Sequence, residues 1–422
     1  MKKKLVTLGI TATLIVSMIS SMTGCASNVQ ATDLMKGIRA RNVAEEVDLA
    51  ANSGKVTDFA VRLLKASHAA VSDEESILVS PLSVLYALSM TANGAKGDTL
   101  AQMENVLGMD VNTLNNYLYN YVQALPQEET YKLHLANSIW FTDDESFAVN
   151  EDFLQTNADY YGAEIYKAPF DQTTLNDINQ WVNEETDEMI PKILDKIQDN
   201  AVMYLINALA FDAEWLNEYE SSQIYDNTFT LEDGTEKIVE FMYSDEHKYL
   251  KDDKATGFIK YYDDRKYGFA ALLPNEGISI SDYLTSLDGD DLHNILLDAT
   301  NELVDVSIPK FTAEYSVEMS ELLSDMGMPY AFDSDVSDFT GLGTSTEGNI
   351  CIDRVLHKTF ISVDEKGTKA GAVTAVGMVE ECAVEEPMNT KSVHLDRPFV
   401  YMLIDCETNN PFFIGTIMDI QE

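Results

Sequence analysis

The sequence contains few of the residues from which disulfide frameworks and metal centres are built. Its 422 residues include four cysteines and six histidines, with no CxxC and no HExxH motif. Structural zinc sites need cysteine and histidine at short, regular spacings, and disulfide-framed folds need several paired cysteines. The sequence therefore supports neither a metal site nor a disulfide framework, and no cofactor is predicted.

Basic residues are also scarce. There are 28 lysines and arginines against 71 aspartates and glutamates, which gives a formal net charge of −43. A surface of this sign repels phosphate backbones, and the electrostatic contribution that dominates nucleic-acid binding is then unfavourable. We therefore expect neither a nucleic acid nor a polyanionic cofactor as a partner.

Sequence motifs of the common enzyme classes are absent. We find no GxSxG, no GxxxxGK[ST] and no GxGxxG pattern. A carboxylate pair of the kind that hydrolyses glycosides cannot be singled out among 71 acidic residues. The sequence thus favours a protein that is not an enzyme.

The N-terminus has the pattern of a cleaved leader. Residues 1–4 are basic, residues 5–19 are mostly apolar, and Gly24-Cys25 follows a short stretch of small residues. The apolar run is shorter than the roughly 20 residues that span a bilayer. It resembles a bacterial lipoprotein signal, which predicts a signal peptide over 1–24, a lipid on Cys25 and a tether over 25–52. The protein would then lie on the extracellular face of the cell membrane. The alternative is an ordinary secretory signal that contains a cysteine.

The remainder, residues 53–422, shows no linker composition and is predicted to be one α+β domain. Apolar residues at helical spacing predict helices over 56–66, 82–92 and 178–193. Short apolar or alternating runs predict strands over 201–211, 304–308, 399–404 and 412–417.

Residues 363–393 are unusual because they suit both a loop and a strand. Read with period two, Thr368, Ala370 and Ala372 form a small face, whereas Lys369 and Gly371 lie on the other. An acidic stretch that contains a proline follows, which is typical of a loop. Composition alone favours an ordinary surface hairpin.

Several segments, in order over about residues 54–420, resemble the serpin family of protease inhibitors. The resemblance implies helices around a large, mostly antiparallel central sheet, two further sheets and an exposed reactive-centre loop at about 367–394. The segments are Ser80-Pro81-Leu82-Ser83, Asn137-Ser138-Ile139-Trp140, Ile178-Asn179-Gln180-Trp181-Val182, 207–215, Ser307-Ile308-Pro309-Lys310-Phe311, 331–342, Val355-Leu356-His357-Lys358, Asp364-Glu365-Lys366-Gly367-Thr368 and Leu395-Asp396-Arg397-Pro398-Phe399-Val400-Tyr401.

The resemblance also implies a function. It predicts a monomeric, suicide-type inhibitor of serine endopeptidases, with cysteine endopeptidases as a second target class. The cleaved loop would enter the central sheet and trap the acyl-enzyme. Family spacing points to cleavage between Glu381 and Cys382, and hence to a glutamyl-specific or subtilisin-like target; a shift of one residue would select Glu380 or Cys382 instead of Glu381. The implied hinge comprises Glu365, Gly367, Thr368, Lys369, Ala370, Gly371 and Ala372.

Two further groups of residues are implied by the same resemblance. Ser80, Ser83, Asn207 and His357 match a hydrogen-bonded cluster where the sheet opens, and Trp215 and Lys310 match the region above it, with Lys310 opposite Glu365. Two alternatives stay open at this point. One is a serpin fold that does not inhibit, which the unusual hinge residues Lys369 and Gly371 keep possible. The other is a lipid-anchored solute-binding protein.

Overall fold

The computed structural model of the protein describes residues 29–125, 131–198, 201–263, 265–368 and 390–420. In the described part of the chain the α-helices are α1 Ser53–Ala69, α2 Pro81–Ala92, α3 Gly97–Leu107, α4 Val111–Gln123, α5 Glu151–Tyr161, α6 Gln172–Glu185, α7 Ile280–Ser286, α8 Gly289–Leu297 and α9 Ser320–Asp325. None of these helices is both long enough and apolar enough to cross a bilayer.

The strands make up two large sheets and one small one. They are β1 Thr32–Asp33, β2 Ile77–Val79, β3 Tyr131–Thr142, β4 Phe147–Val149, β5 Glu164–Ala168, β6 Met203–Glu214, β7 Ile224–Thr230, β8 Glu236–Lys251, β9 Ala255–Tyr261, β10 Tyr267–Pro274, β11 Thr300–Pro309, β12 Phe311–Glu318, β13 Gly343–Ser345, β14 Arg354–Val363, β15 Gly367–Thr368, β16 Lys391–His394, β17 Phe399–Asp405 and β18 Asn410–Ile417.

The first sheet has the order β1-β5-β3-β6-β15-β14-β12, and the second has the order β16-β11-β8-β9-β10-β17-β18-β2 with β7 beside β8. The first sheet is mixed, because β5 runs parallel to β3 and β14 runs parallel to β6. Strands β4 and β13 form a separate antiparallel pair. The α+β architecture with a large central sheet, expected from the sequence, is confirmed.

Helix α2 is buried on every side and packs against β3 and β6 of the first sheet. All twelve of its residues are buried, as expected for a helix inside a core. It begins at Ser80, whose hydroxyl accepts from the Ser83 backbone N–H, and Pro81 occupies the first turn, where its missing N–H costs nothing. The helix start therefore holds Ser80 at a defined place beneath the sheet.

Helix α6 covers the opposite face of the first sheet. A second, smaller core lies there, formed by Trp181 and Ile178 of the helix with Trp140 of β3, Tyr204 of β6 and Leu356 of β14. The helix ends at Glu185, earlier than the predicted 193. In the turn that follows, Asp187 and Glu188 have positive φ values of 51° and 65°, so the chain leaves the helical path.

Residues 29–52, part of the segment interpreted as a tether, lie against the domain. Strand β1 pairs with β5, and Asp177 of α6 accepts from the backbone N–H groups of Gln30 and Ala31 at 2.9 Å. The buried carboxylate of Asp159 in α5 accepts from Arg41 through its backbone N–H, Nε and Nη2 at 2.6–2.9 Å. These contacts were not evident from the polar composition of the segment.

We expect Asp159→Asn to lower the free energy of unfolding by about 2 kcal/mol, since it removes a buried charge that accepts several hydrogen bonds. Chemical denaturation of the purified protein measures this change. Asp152→Asn is the matched control, because Asp152 is an exposed carboxylate of the same helix; it should change stability by less than about 1 kcal/mol. Equal effects of the two substitutions would contradict the prediction.

Candidate functional site

Strands β6 and β14 meet along a parallel pairing that we call the seam. Residues 204–210 of β6 lie opposite residues 354–360 of β14. Above the seam, β15 separates the two strands and runs antiparallel to both. Thr368 lies opposite Ala213 of β6 and opposite Val363 of β14. The seam therefore has one end at which a further strand has already entered.

Gly367 and Thr368 fit closely into this entry point. A Cβ atom on Gly367 would lie 2.0 Å from the carbonyl oxygen of Ala213, so only glycine can pair there. The side chain of Thr368 is fully buried, and its hydroxyl is hydrogen-bonded to the Tyr262 hydroxyl at 2.5 Å. The even-numbered face of this segment thus begins inside the core.

Aromatic residues hold the turn that leads into β15. Trp215 donates from its backbone N–H to Lys366 O and from Nε1 to Asp364 O, both at 2.8 Å. Its ring stacks on Tyr262 with centroids 4.6 Å apart. The Tyr219 backbone N–H donates to Glu365 O at 2.9 Å. Tyr262 has no sequence pattern that would have indicated its role.

Lys310 forms the expected ion pair with Glu365. Its Nζ lies 2.9 Å from Glu365 Oε2 and 3.2 Å from Glu240 Oε2. Burial alone would raise the pKa of Glu365, but the hydrogen bond and the charge of Lys310 outweigh it, and the pKa lies below its usual value. Both groups are partly exposed, so the pair adds little stability. The ion pair holds Glu365, the first residue of the hinge, beside Lys310 at the start of β12.

A polar cluster lies in the middle of the seam. His357 of β14 is fully buried, and burial lowers its pKa to about 3, so the ring is neutral. Its Nε2 accepts from the Ser80 backbone N–H at 3.1 Å. Its Nδ1 therefore carries the hydrogen and donates to Asn207 Oδ1. Asn207 in turn donates from Nδ2 to Asn137 Oδ1 on β3 at 2.6 Å.

Three of the four residues predicted for this cluster thus lie together. Ser83 contributes its backbone N–H to the Ser80 hydroxyl, whereas its own hydroxyl is buried without a hydrogen-bond partner among the described residues. Asn137 was missed as a member, although it lies in one of the segments that resemble the serpin family. Only the register of β3 on β6 shows that Asn137 lies opposite Asn207.

The remaining predicted residues are Lys369, Ala370, Gly371, Ala372, Glu381, Cys382 and Cys25, and they lie outside the described residues. Within the described ranges, no group of three or more histidine, cysteine or acidic side chains could hold a metal ion.

Comparison with known proteins identifies the class of this fold. Residues 54–420 match the sequence profile of the family described as Serpin (serine protease inhibitor). The match covers most of the chain, and the protein therefore belongs to the serpin family, whose members are generally inhibitors of proteases rather than catalysts. The mixed and antiparallel sheets of this serpin fold differ from the parallel-stranded lobes expected of the lipid-anchored solute-binding protein that was the other alternative.

The chain is similar to characterised and uncharacterised relatives. It is 29% identical to an uncharacterized serpin-like protein of Thermococcus kodakarensis, over 82% of this chain and 81% of that protein. It is 25% identical to human neuroserpin, over 86% of this chain and 90% of that protein. The native-state structure of the thermophilic serpin tengpin matches this structure with a TM-score of 0.87 and 47% sequence identity. The match covers 93% of this chain and 100% of the tengpin chain.

We expect one histidine ring of the folded protein to stay neutral, with its hydrogen on Nδ1, down to about pH 4.5. Nuclear magnetic resonance of protein with labelled histidine measures the tautomer and the titration. The unfolded chain binds this proton at an ordinary pKa, so the contribution of His357 to folding is complete above about pH 6.5 and is lost as the pH falls towards 3.

The control for this prediction is His357→Gln, in which the non-titrating signal should disappear and the other histidine signals should stay. A full set of histidines that all titrate between pH 5 and 7.5 would contradict the assignment of a neutral, buried ring.

Proposed function

We propose that this protein is a suicide-type inhibitor of serine endopeptidases that traps its target by inserting the cleaved loop into the seam. The observation that carries the proposal is β15. Its two residues already form an antiparallel strand between β6 and β14, which pair directly only below it. A strand that continued from Thr368 would therefore enter between two strands that are already apart at this point.

The register of β15 fits a complete insertion. Continued from Thr368, an added strand would reach the level of Tyr204 on β6 after nine further residues, and the level of Arg354 on β14 after the same nine. One strand over residues 368–377 would therefore replace the parallel pairing of the seam by two antiparallel pairings. Antiparallel ladders are somewhat more stable per residue than parallel ones, so insertion has a driving force.

The side chains of the loop suit that position. Because Thr368 points into the core, Ala370 and Ala372 would follow it on the same side, and they are small enough to enter a closely packed interior. Lys369 would lie on the opposite face at the level of Asp212 and Ser362, which are only half-buried, so its charge matters less there. Gly371 would follow on that face without a side chain to bury. This alternation supports inhibition over the alternative of a serpin scaffold that does not inhibit.

We propose the bond between Glu381 and Cys382 as the site of attack. The protease serine would form an acyl ester with the Glu381 carbonyl while the peptide bond breaks, and Cys382 would become the new amino terminus. Glu381 follows Thr368 by thirteen positions, so insertion would carry the ester roughly 40 Å along the sheet. A protease with a basic specificity pocket, or a broad subtilisin-like enzyme, would accept glutamate there.

We also propose that the mature chain begins at a lipid-modified Cys25 and stays on the outer face of a bacterial membrane as a monomer. The charged, apolar and Gly24-Cys25 segments support this location. Intact mass of the protein purified from membranes tests it. A mature chain that starts elsewhere, or without acyl mass on Cys25, would overturn the proposal while leaving the inhibitory function untouched.

The first experiment is incubation of the lipid-free domain with a glutamyl endopeptidase and with subtilisin-like and chymotrypsin-like enzymes. A complex that resists denaturant, together with a released peptide that begins at Cys382, supports the proposal. Cleavage without a complex by every enzyme, and without a rise in the melting temperature of the cleaved protein, would leave a serpin that does not inhibit.

We expect Ala370→Glu to convert the inhibitor into a substrate, since a charged side chain would have to enter the core beside Thr368. The number of inhibitor molecules consumed per trapped protease should rise about tenfold or more, whereas the rate of loop cleavage should stay unchanged. Lys369→Glu is the matched control, because it places the same side chain on the outward face. Equal loss of trapping in both variants would contradict the proposed orientation of the inserted strand.

A further inference from the structure

The face of the seam is covered by α6 and by residues 186–198 that follow it, which we call the α6 cover. Asn179 of the helix binds this segment through three hydrogen bonds, with Ile193 N–H, Leu194 N–H and Leu194 O at 2.8–2.9 Å. The segment reaches both sides of the seam. Lys358 of β14 donates to Lys192 O at 2.9 Å, and the Tyr204 hydroxyl of β6 accepts from the Gln198 backbone N–H at 2.8 Å.

Because the cover is bound to β6 and to β14, it resists their separation. A strand that enters the seam moves these two strands apart, and the cover must then release one of them or shift. The strength with which α6 is attached to the sheet should therefore affect the rate of insertion.

Two carboxylates lie where α6 meets the edge of the sheet. Glu164 of β5 accepts from Trp181 Nε1 at 2.6 Å and from the Tyr166 hydroxyl at 2.5 Å, both on the same oxygen. Glu185 lies one helical turn beyond Trp181 and is therefore on the same side of α6. It is partly buried and makes no hydrogen bond or ion pair among the described residues.

The charged groups that act on Glu185 do not compensate a negative charge on its carboxylate. Those that act on it are Glu164 and Glu184, both acidic, and the turn after the helix adds two further acidic residues at positions 187 and 188. On β5, the Nζ of Lys167 is bound to Phe147 O. On β1, the residue opposite Tyr166 is Asp33.

We propose that Glu185 acts as a proton-dependent catch, which fastens the α6 cover when protonated and loosens it when ionised, and so makes loop insertion faster above neutral pH. The inference rests on the proposed insertion function and adds a means of regulating it. Ionised Glu185 would be partly buried beside the Glu164 carboxylate, which favours a looser helix.

The pH range follows from the direction of the shift. Burial, followed by the charges of Glu164 and Glu184, raises the pKa of Glu185 to about 7. A raised pKa means that the stabilising contribution is complete below the ordinary value of 4.5 and is lost as the pH rises through about 7. If the loosened state has an ordinary carboxyl, the equilibrium shifts by about tenfold towards it between pH 6 and pH 8.

Two measurements on the intact, lipid-free protein test the proposal. The first is the insertion rate of an N-acetylated synthetic peptide with the sequence of residues 368–379, in which no side chain titrates between pH 6 and 8 and the acetyl group removes the titrating α-amine. The second is hydrogen exchange of the amides over 172–198, corrected for intrinsic exchange with an unstructured reference peptide. Both rates should rise about tenfold from pH 6 to pH 8.

In Glu185→Gln both rates should stay at the slow value of low pH, because glutamine resembles the protonated acid. Glu188→Gln is the matched control: Glu188 is an exposed acidic residue of the turn after the helix and is not one of the carboxylates that raise the pKa of Glu185, so this variant should keep the pH dependence. Glu164→Gln keeps an acceptor for Trp181 and should move the midpoint to lower pH.

The possible outcomes separate the two proposals. If the rates in the wild type do not change with pH, or if they change equally in Glu185→Gln, the proposed role of Glu185 is overturned and the insertion function is not affected. Failure of the peptide to insert at any pH would contradict the insertion function on which the catch depends. A pH response of insertion without a response of exchange over 172–198 would also overturn the catch, because the α6 cover would then not be its cause.

Discussion

Seven residues of β6 pair with seven of β14 in a parallel sense, and directly above them β15 stands between the same two strands. The two arrangements of the sheet, closed and opened by one strand, thus occur within one molecule. The other features of the site bear on the boundary between them. The hinge begins at this boundary. The buried polar cluster lies below the boundary, within the seam, and the α6 cover lies across the seam.

Two kinds of interaction hold the seam closed, and a third fixes the hinge above it. The His357 cluster is buried and held by hydrogen bonds. Moving β6 and β14 apart would break these bonds and leave polar groups without partners in the core. The α6 cover is attached by apolar packing and by hydrogen bonds from both strands. At the top, Trp215 and Lys310 fix the hinge and leave the strands already apart.

The fold and much of the site could be predicted because the informative residues lie in short, recognisable segments. The structure brings His357, Asn207 and Ser80 together and places Lys310 beside Glu365, whereas the roles that the resemblance implies for them stay predictions. The contacts that escaped prediction depend on strands distant in sequence. Asn137 joins the cluster only through the register of β3 on β6, and the early end of α6 reflects backbone geometry that apolar spacing does not encode.

The position of β15 also bears on which step of the proposed insertion would be slow. The first residues of a new strand fix several dihedral angles for few hydrogen bonds and are therefore the least favourable to place. Here that cost has been met in folding, since Gly367 and Thr368 are already paired and buried. Each later residue would extend an existing ladder. The remaining barrier then lies in separating β6 from β14, so the interactions across the seam, rather than the composition of the hinge alone, would set the rate at which a cleaved loop enters the sheet.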